Sequence, residues 1–525
     1  MKKKYKLGFL GYLVLLLGSC AEVVDNKPVY GGPGGGRDGG RFYAQDMTNN
    51  SFYTLYAEKL WSEEDDPSTR VVVWAEIGSG MIKSDGETVA EEYNKTGGIY
   101  EKLMPVFGME ENFTDAFTNS TAIVAENTME FADYYGNGDN KLCILLLKIK
   151  DGFNPPKNDS YVAGYFTAYN FLGYDPGNYD SYYSNECDMI YIDVKENKPS
   201  DASKSRLFTT LAHEMQHMMN FVTTLDRRRS GNTFKQMDLW IDEGLSSAAE
   251  YVYSGVHTQE RINWYNVHPL DQTGRIAYGN NFYVWGNYIK TTPDAILDDY
   301  ATVYLFFQWL RLQADSGVAI YNDIITSTAS NYNAVLNAAG NKISNFTYTS
   351  WQYLLRNWLA ANYIKAGTGP FGYMGDISLT PTIFQDDPGN YRISLYPGEG
   401  IYLDASAWPN PADPILFADL SGGTVTESGI YPPNNLLCYN VNTDTKGNYS
   451  QAIVTLNTSS KSMAGFQQTV QKNFSGASSR SVSEPGPLAH GPHAIGAGDM
   501  LRINGHMEDS GAVISKIRSG KRVYE

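Results

Sequence analysis

The chain has 525 residues, with 58 acidic against 41 basic side chains and a formal net charge of -17. That excess argues against nucleic acid as a partner and against electrostatic adhesion to anionic lipid. At this length two or three domains can each bury a core, so no disulfide scaffold is needed. The abundance of tyrosine and glycine, 39 and 50 residues, suits an exported, loop-rich protein without selecting a function.

The first residues, MKKKYKLGFLGYLVLLLGSC, place three lysines before a short apolar segment and small residues, the pattern of a bacterial export signal. The segment is too short for a membrane span. Leu17-Gly18-Ser19-Cys20 resembles a lipobox, so residues 1–19 are expected to be a lipoprotein signal peptide and Cys20 to carry the lipid. Ala21 after that cysteine, in place of Asp, favours outer-membrane or cell-surface sorting. The remaining Cys143, Cys187 and Cys438 cannot all pair. Residues 20–41 are dense in glycine and read as a flexible tether.

Structure is expected from about Phe42. Over residues 42–200 the runs TRVVVWAEI, KLCILLLKIK and DMIYIDV are short and rich in β-branched, aromatic and aliphatic residues, and read as strands. GETVAEEYNKTGGIYEKLMPVF reads as helix interrupted near Gly97 and Gly98. Residues 201–375 turn helical: RLFTTLAHEMQHMMNFVTTL, DLWIDEGLSSAAEYVYS, DDYATVYLFFQWLRLQ and SWQYLLRNWLAANYI all outrun the usual strand. Residues 376–525 alternate in short stretches such as YRISL, GIYLDA and QAIVTLN among Gly, Pro, Asn and Asp. The expected fold class is therefore α+β, a mixed sheet followed by a helical part, with a β-rich C-terminal domain read as a sandwich.

Within the first long helix, LAHEMQHMMNF carries His213, Glu214 and His217. Residues four apart stack on one helix face, so both imidazoles can address one ion, the geometry zinc needs from two ligands. Glu214 lies to the side, placed to reach a water on that ion as a general base without ligating it. The bland alternative is a core helix whose histidines are satisfied by neighbours. A catalytic zinc takes three protein ligands and one water. Glu243, 26 residues after His217, is the candidate third ligand, with Glu250, seven residues later on roughly the same face, as its rival.

Trp240-Ile241-Asp242-Glu243-Gly244 resembles the Trp-x-x-Glu-Gly in which alanyl aminopeptidases and their relatives carry a metal-binding glutamate. Taken with the His-Glu-x-x-His run and the strand MIYIDV upstream, it resembles the hyicolysin family of exported bacterial zinc peptidases, within the thermolysin-like class. The resemblance covers about Thr69 to Leu312. It implies a peptidase with one zinc per chain, His213, His217 and Glu243 as ligands, Glu214 as general base, and a peptide or protein as substrate. By the same resemblance an oxyanion donor is expected from Tyr300 or Tyr304, or, in the thermolysin manner, from His257 or His268; Tyr300 fits the start of its helix best.

The match has departures. The aspartate that thermolysin-like enzymes place four residues after the ligand glutamate is Ser247 here, leaving Ser246, Ser247 or Asp242 to orient a histidine. GMEEN at Gly108–Asn112 suggests the substrate-amine motif of the aminopeptidases, but Glu110 lies too far upstream and reads as surface loop, which favours an endopeptidase over an aminopeptidase. Asp133, Asn137 and Asp139 suggest a calcium loop without the full ligand run. YVAGYFTAYNFL, from Tyr161 to Leu172, is the expected edge strand for an extended substrate. The rival function is a binding or adhesion lipoprotein that keeps the peptidase fold; Glu214 discriminates, because binding alone needs no base.

Overall fold

In the computed structural model, LCILLL at Leu142–Leu147 is buried along its whole length, as a central strand covered on both faces must be. It is β4 of a six-stranded sheet whose other strands are β1 (Gly40–Asp46), β2 (Ser51–Trp61), β3 (Val71–Glu76), β5 (Gly164–Phe166) and β6 (Met189–Asp193). The order across the sheet is β1-β2-β3-β4-β6-β5. The pairs β1/β2 and β2/β3 are antiparallel, β3/β4 and β4/β6 parallel, and β5 returns antiparallel to β6 at the edge. The residues described are 40–49, 51–108, 141–153, 161–171, 183, 185, 187–195, 198–200, 204–230, 233–267, 282–283, 295–345 and 347–379, with strand segments and short connections between 390 and 503.

Alternation sorts side chains between the two faces. Val71, Val73, Ala75, Ile144, Leu146, Ile190 and Ile192 join the main core under the helices. Val72, Trp74, Cys143, Leu145, Met189 and Tyr191 point into a second, smaller core with Phe42, Ala44 and Leu55 of the hairpin. The crossover from β3 to β4 carries α1 (Lys83–Asn94) and α2 (Ile99–Phe107). Between them Gly97 adopts φ +71°, open to glycine at no steric cost, which is why the expected helix breaks there.

The helical part contains α3 (Lys204–Arg227), α4 (Leu239–Ser254), α5 (Gln259–Val267), α6 (Ala295–Gln313), α7 (Ile320–Ile325), α8 (Tyr332–Lys342) and α9 (Trp351–Ile364). The four helices expected from periodicity are α3, α4, α6 and α9. Gly255 closes α4 in the left-handed conformation, and the Ser350 side chain accepts from Tyr353 N at the start of α9. The end of α3 is tied to α7 by the buried guanidinium of Arg228, which donates to the carbonyls of Ile325 and Ser327 and to Asn220. None of the described helices is long and apolar enough to cross a membrane.

The C-terminal strands β7 (Asn390–Leu395), β8 (Gly400–Asp404), β9 (Leu416–Asp419), β10 (Thr424–Glu427), β11 (Asn435–Tyr439), β12 (Gln451–Asn457) and β13 (Gln467–Asn473) make two sheets, β7-β12-β13 and β8-β11-β9-β10. The second sheet meets α9, where Tyr439 accepts a hydrogen bond from Gln352 at 3.1 Å and Leu437 joins the main core. The expected edge strand is present but short: of Tyr161–Leu172, Gly164–Phe166 forms the sheet edge and Ala168–Phe171 is a 3-10 turn. A polar residue, Asn170, explains the stop, since its side chain turns inward to Tyr191 Oη and Asn185.

Candidate metal centre

Helix α3 presents different faces to its two neighbours: Leu211, Met215, Met218 and Met219 feed the core, while His213 and His217 turn toward α4. Both histidines, Glu214, Glu243 and Glu250 are buried to within 2% of full burial. Nε2 of His213 and Nε2 of His217 converge on Oε2 of Glu243, at 3.5 and 3.7 Å. One ligand atom from each of the three lies within 4.8 Å of the others. Tetrahedral ligands about 2.0–2.1 Å from one zinc stand roughly 3.3–3.4 Å apart, a spacing that the two histidine–carboxylate distances approach.

Trp240, Asp242 and Gly244 each have a distinct place around Glu243. Trp240 is fully buried against Tyr283, Phe282 and Trp351, with ring centroids 4.8, 5.2 and 5.7 Å away. Asp242 Oδ2 lies 3.0 Å from His217 Nδ1. Gly244 faces α6 so closely that an added Cβ would sit 2.1 Å from the Phe307 ring. Glycine is required by that approach, not by backbone conformation. Gly244→Ala is expected to cost about 1–3 kcal/mol of stability, read as a lower urea midpoint, because the buried Phe307 must be displaced.

The rival Glu250 has a different position. Its Oε1 lies 2.9 Å from Nδ1 of His213, on the opposite side of the ring from Glu243. Arg261 donates to that same oxygen at 3.0 Å, and the Thr258 hydroxyl donates to Oε2 at 3.1 Å. An imidazole gripped by a carboxylate at Nδ1 has its tautomer set and its Nε2 made more basic, as a metal-ligating histidine needs. His217 is oriented in turn by Asp242 and by Ser246, whose Oγ is 3.0 Å from Nδ1. Of the residues expected to orient a histidine, Asp242 and Ser246 are in contact with one; Ser247 is not, because one more residue along the helix turns it away. Glu250, read from the sequence only as a rival ligand, is the orienting group that sequence reasoning missed.

The electrostatics fit a cation. Burial, then the neighbouring charges of Asp242 and Glu214, hold the Glu243 carboxyl well above the usual range. Asp242 is pushed up to about 6 by burial. His217 is depressed by burial and by His213, so it stays neutral and able to ligate. A cluster of buried carboxylates costs free energy unless a positive charge lies among them, and a divalent ion held by the two imidazoles and Glu243 would supply it.

Tyr300 of α6 donates to Glu243 Oε1 at 3.2 Å, which brings it into the site. Its phenol is held well above its ordinary value by burial and by Glu243, and therefore stays protonated. Tyr304, one turn on, instead meets His257, Oη to Nδ1 at 2.8 Å, and His257 Nε2 meets Asp376 at 3.0 Å. That pair belongs to a neighbouring cluster rather than to the three convergent ligand atoms. Cys20, Glu110, Asp133, Asn137, Asp139 and His268 lie outside the described residues. Among the described residues Cys143 and Cys187 are both buried and form no disulfide.

No family model matches the chain. The neutral metalloprotease ShpI of Staphylococcus hyicus is 29% identical over 269 residues, which are 50% of this chain and 56% of that relative. The chain thus spans little more than half the length of the curated relative it matches. A metalloprotease stands among its relatives. In this chain the convergent His213, His217 and Glu243 are residues that could hold a metal ion.

Proposed function

We propose that this chain is a zinc-dependent endopeptidase of the hyicolysin-like, thermolysin-like kind, exported and attached to the membrane through lipidated Cys20. The observation that carries the peptidase reading is the convergence of two imidazole Nε2 atoms on one carboxylate oxygen, beside a further buried carboxylate, Glu214, one residue from the first histidine. A binding module has no use for that additional buried acid.

His213, His217 and Glu243 would hold the ion, and Glu250, Asp242 and Ser246 fix the two rings. A zinc ion there would supply Lewis-acid polarisation to the scissile carbonyl and to the attacking water. Glu214 accepts the proton from that water and delivers it to the leaving amine. Tyr300, kept protonated by its surroundings, donates to the carbonyl oxygen as negative charge develops on it. The substrate backbone lies extended along β5, the antiparallel edge strand that packs against α3.

Purified chain is expected to contain about one zinc and to cleave a quenched peptide library in a chelator-sensitive manner. A folded chain that takes up no zinc rules the reading out. Glu250→Gln is expected to weaken zinc affinity about 10–100-fold without abolishing binding, measured by competition with a chromogenic chelator. Complete loss of zinc in that variant would make Glu250 a ligand instead of an orienting group.

A further inference from the structure

Arg261 on α5 is 7% exposed, and its guanidinium touches two parts of the site at once. Its NH2 group donates to Glu250 Oε1 at 3.0 Å, the oxygen that also meets His213 Nδ1. Its central carbon lies 4.7 Å from the ring centroid of Tyr300, whose hydroxyl donates to Glu243. One planar cation thus abuts both the carboxylate that orients a histidine and the phenol that reaches the third carboxylate.

We propose that Arg261 is a positioning residue that sets the His213 orientation through Glu250 and, independently, the placement of the Tyr300 hydroxyl through its ring. The inference rests on the metallopeptidase reading above and adds a residue to it. The two contacts use different properties of the side chain. Holding Glu250 needs a positive charge that donates a hydrogen bond, which an ammonium also supplies. Standing over the Tyr300 ring draws on the delocalised, weakly hydrated guanidinium, which an ammonium does not reproduce. A third tie limits what the first must do: Thr258 holds the other Glu250 oxygen, so the carboxylate keeps one anchor when Arg261 is changed.

The two roles therefore separate in substitutions. In the full chain, Arg261→Lys is expected to keep zinc affinity within about threefold of wild type while kcat at saturating zinc falls about tenfold or more, because a small displacement of an oxyanion donor is costly. Arg261→Met, which loses the charge as well, is expected to show the same fall in kcat and a roughly tenfold weaker zinc affinity. KM is expected to move little in either, since neither contact is made to bound substrate. Zinc affinity is read by chelator competition and kcat on one quenched peptide. Wild-type kcat in Arg261→Lys overturns the Tyr300 arm, and wild-type zinc affinity in a folded Arg261→Met overturns the Glu250 arm. Should Arg261→Met fail to fold, zinc affinity in Arg261→Gln, which keeps a donor without the charge, decides that arm by the same threshold. A wild-type chain that binds zinc separates failure of this inference from failure of the metallopeptidase reading; one that binds none overturns both.

Discussion

Glu214→Gln is expected to leave zinc content at about one per chain and lower kcat on a peptide substrate by roughly 10²–10⁴-fold. The reasoning is that Glu214 sits on α3 beside the ligand histidine without belonging to the three ligand atoms that converge. Glutamine preserves its volume, so the buried site is not opened. What it removes is the ability to accept a proton from the attacking water and return it to the amine. Removing one carboxylate from beside Glu243 also relieves a like-charge contact, so metal affinity is not expected to collapse. Full activity with metal retained would exclude Glu214 as the base. Loss of metal together with activity would instead make it a ligand. Both quantities are accessible on one preparation, by metal analysis and by peptide cleavage.

Withdrawing zinc is expected to lower the melting temperature by several degrees as well as to abolish cleavage. A ligand at 1,000 times its dissociation constant contributes about 4 kcal/mol to the folded state, provided the unfolded chain does not bind it. The metal-free site would retain Glu243 beside Asp242 and Glu214, where burial and then the charges of those two acids already raise the Glu243 carboxyl. Glu243→Ala distinguishes this linkage from a general effect of the chelator. With the third ligand gone the variant has little zinc to lose, so chelation should leave its melting temperature almost unchanged. A wild-type protein whose melting temperature ignores both zinc and chelator would count against a metal at this site. Equal chelator sensitivity in Glu243→Ala would move the metal elsewhere in the chain.

Much of the sheet was legible because β3, β4 and β6 are short apolar runs with no polar interruption, the mark of strands covered on both faces. The hairpin β1/β2 was not read, although it begins near the expected start of structure. In β2 the exposed positions carry Thr54, Tyr56 and Glu58, and its aromatic residues fall on both faces, so the sequence lacks a clean apolar alternation. Helix α5 was also missed. QERINWYNV has almost no apolar stripe, and it is held by specific contacts, with Trp264 donating to Asp298 at 2.7 Å and Arg261 to Glu250. Contacts of that kind depend on partners far along the chain.

Helical spacing by itself determined that His213 and His217 share a face and that Glu214 stands beside them, because i and i+4 are neighbours on any α-helix. The same rule left Glu243 and Glu250 nearly equivalent, two turns apart on one face of α4. Only the packing of α4 across α3 decided between them: it sets the His213 ring between the two carboxylates, Glu243 toward Nε2 and Glu250 at Nδ1. It also gave Asp242 to His217 and brought Tyr300 of α6, rather than Tyr304, to Glu243. Local periodicity fixes direction around one helix axis, whereas the choice of partner depends on how close two helices come, and here Gly244 against Phe307 sets the close contact between α4 and α6.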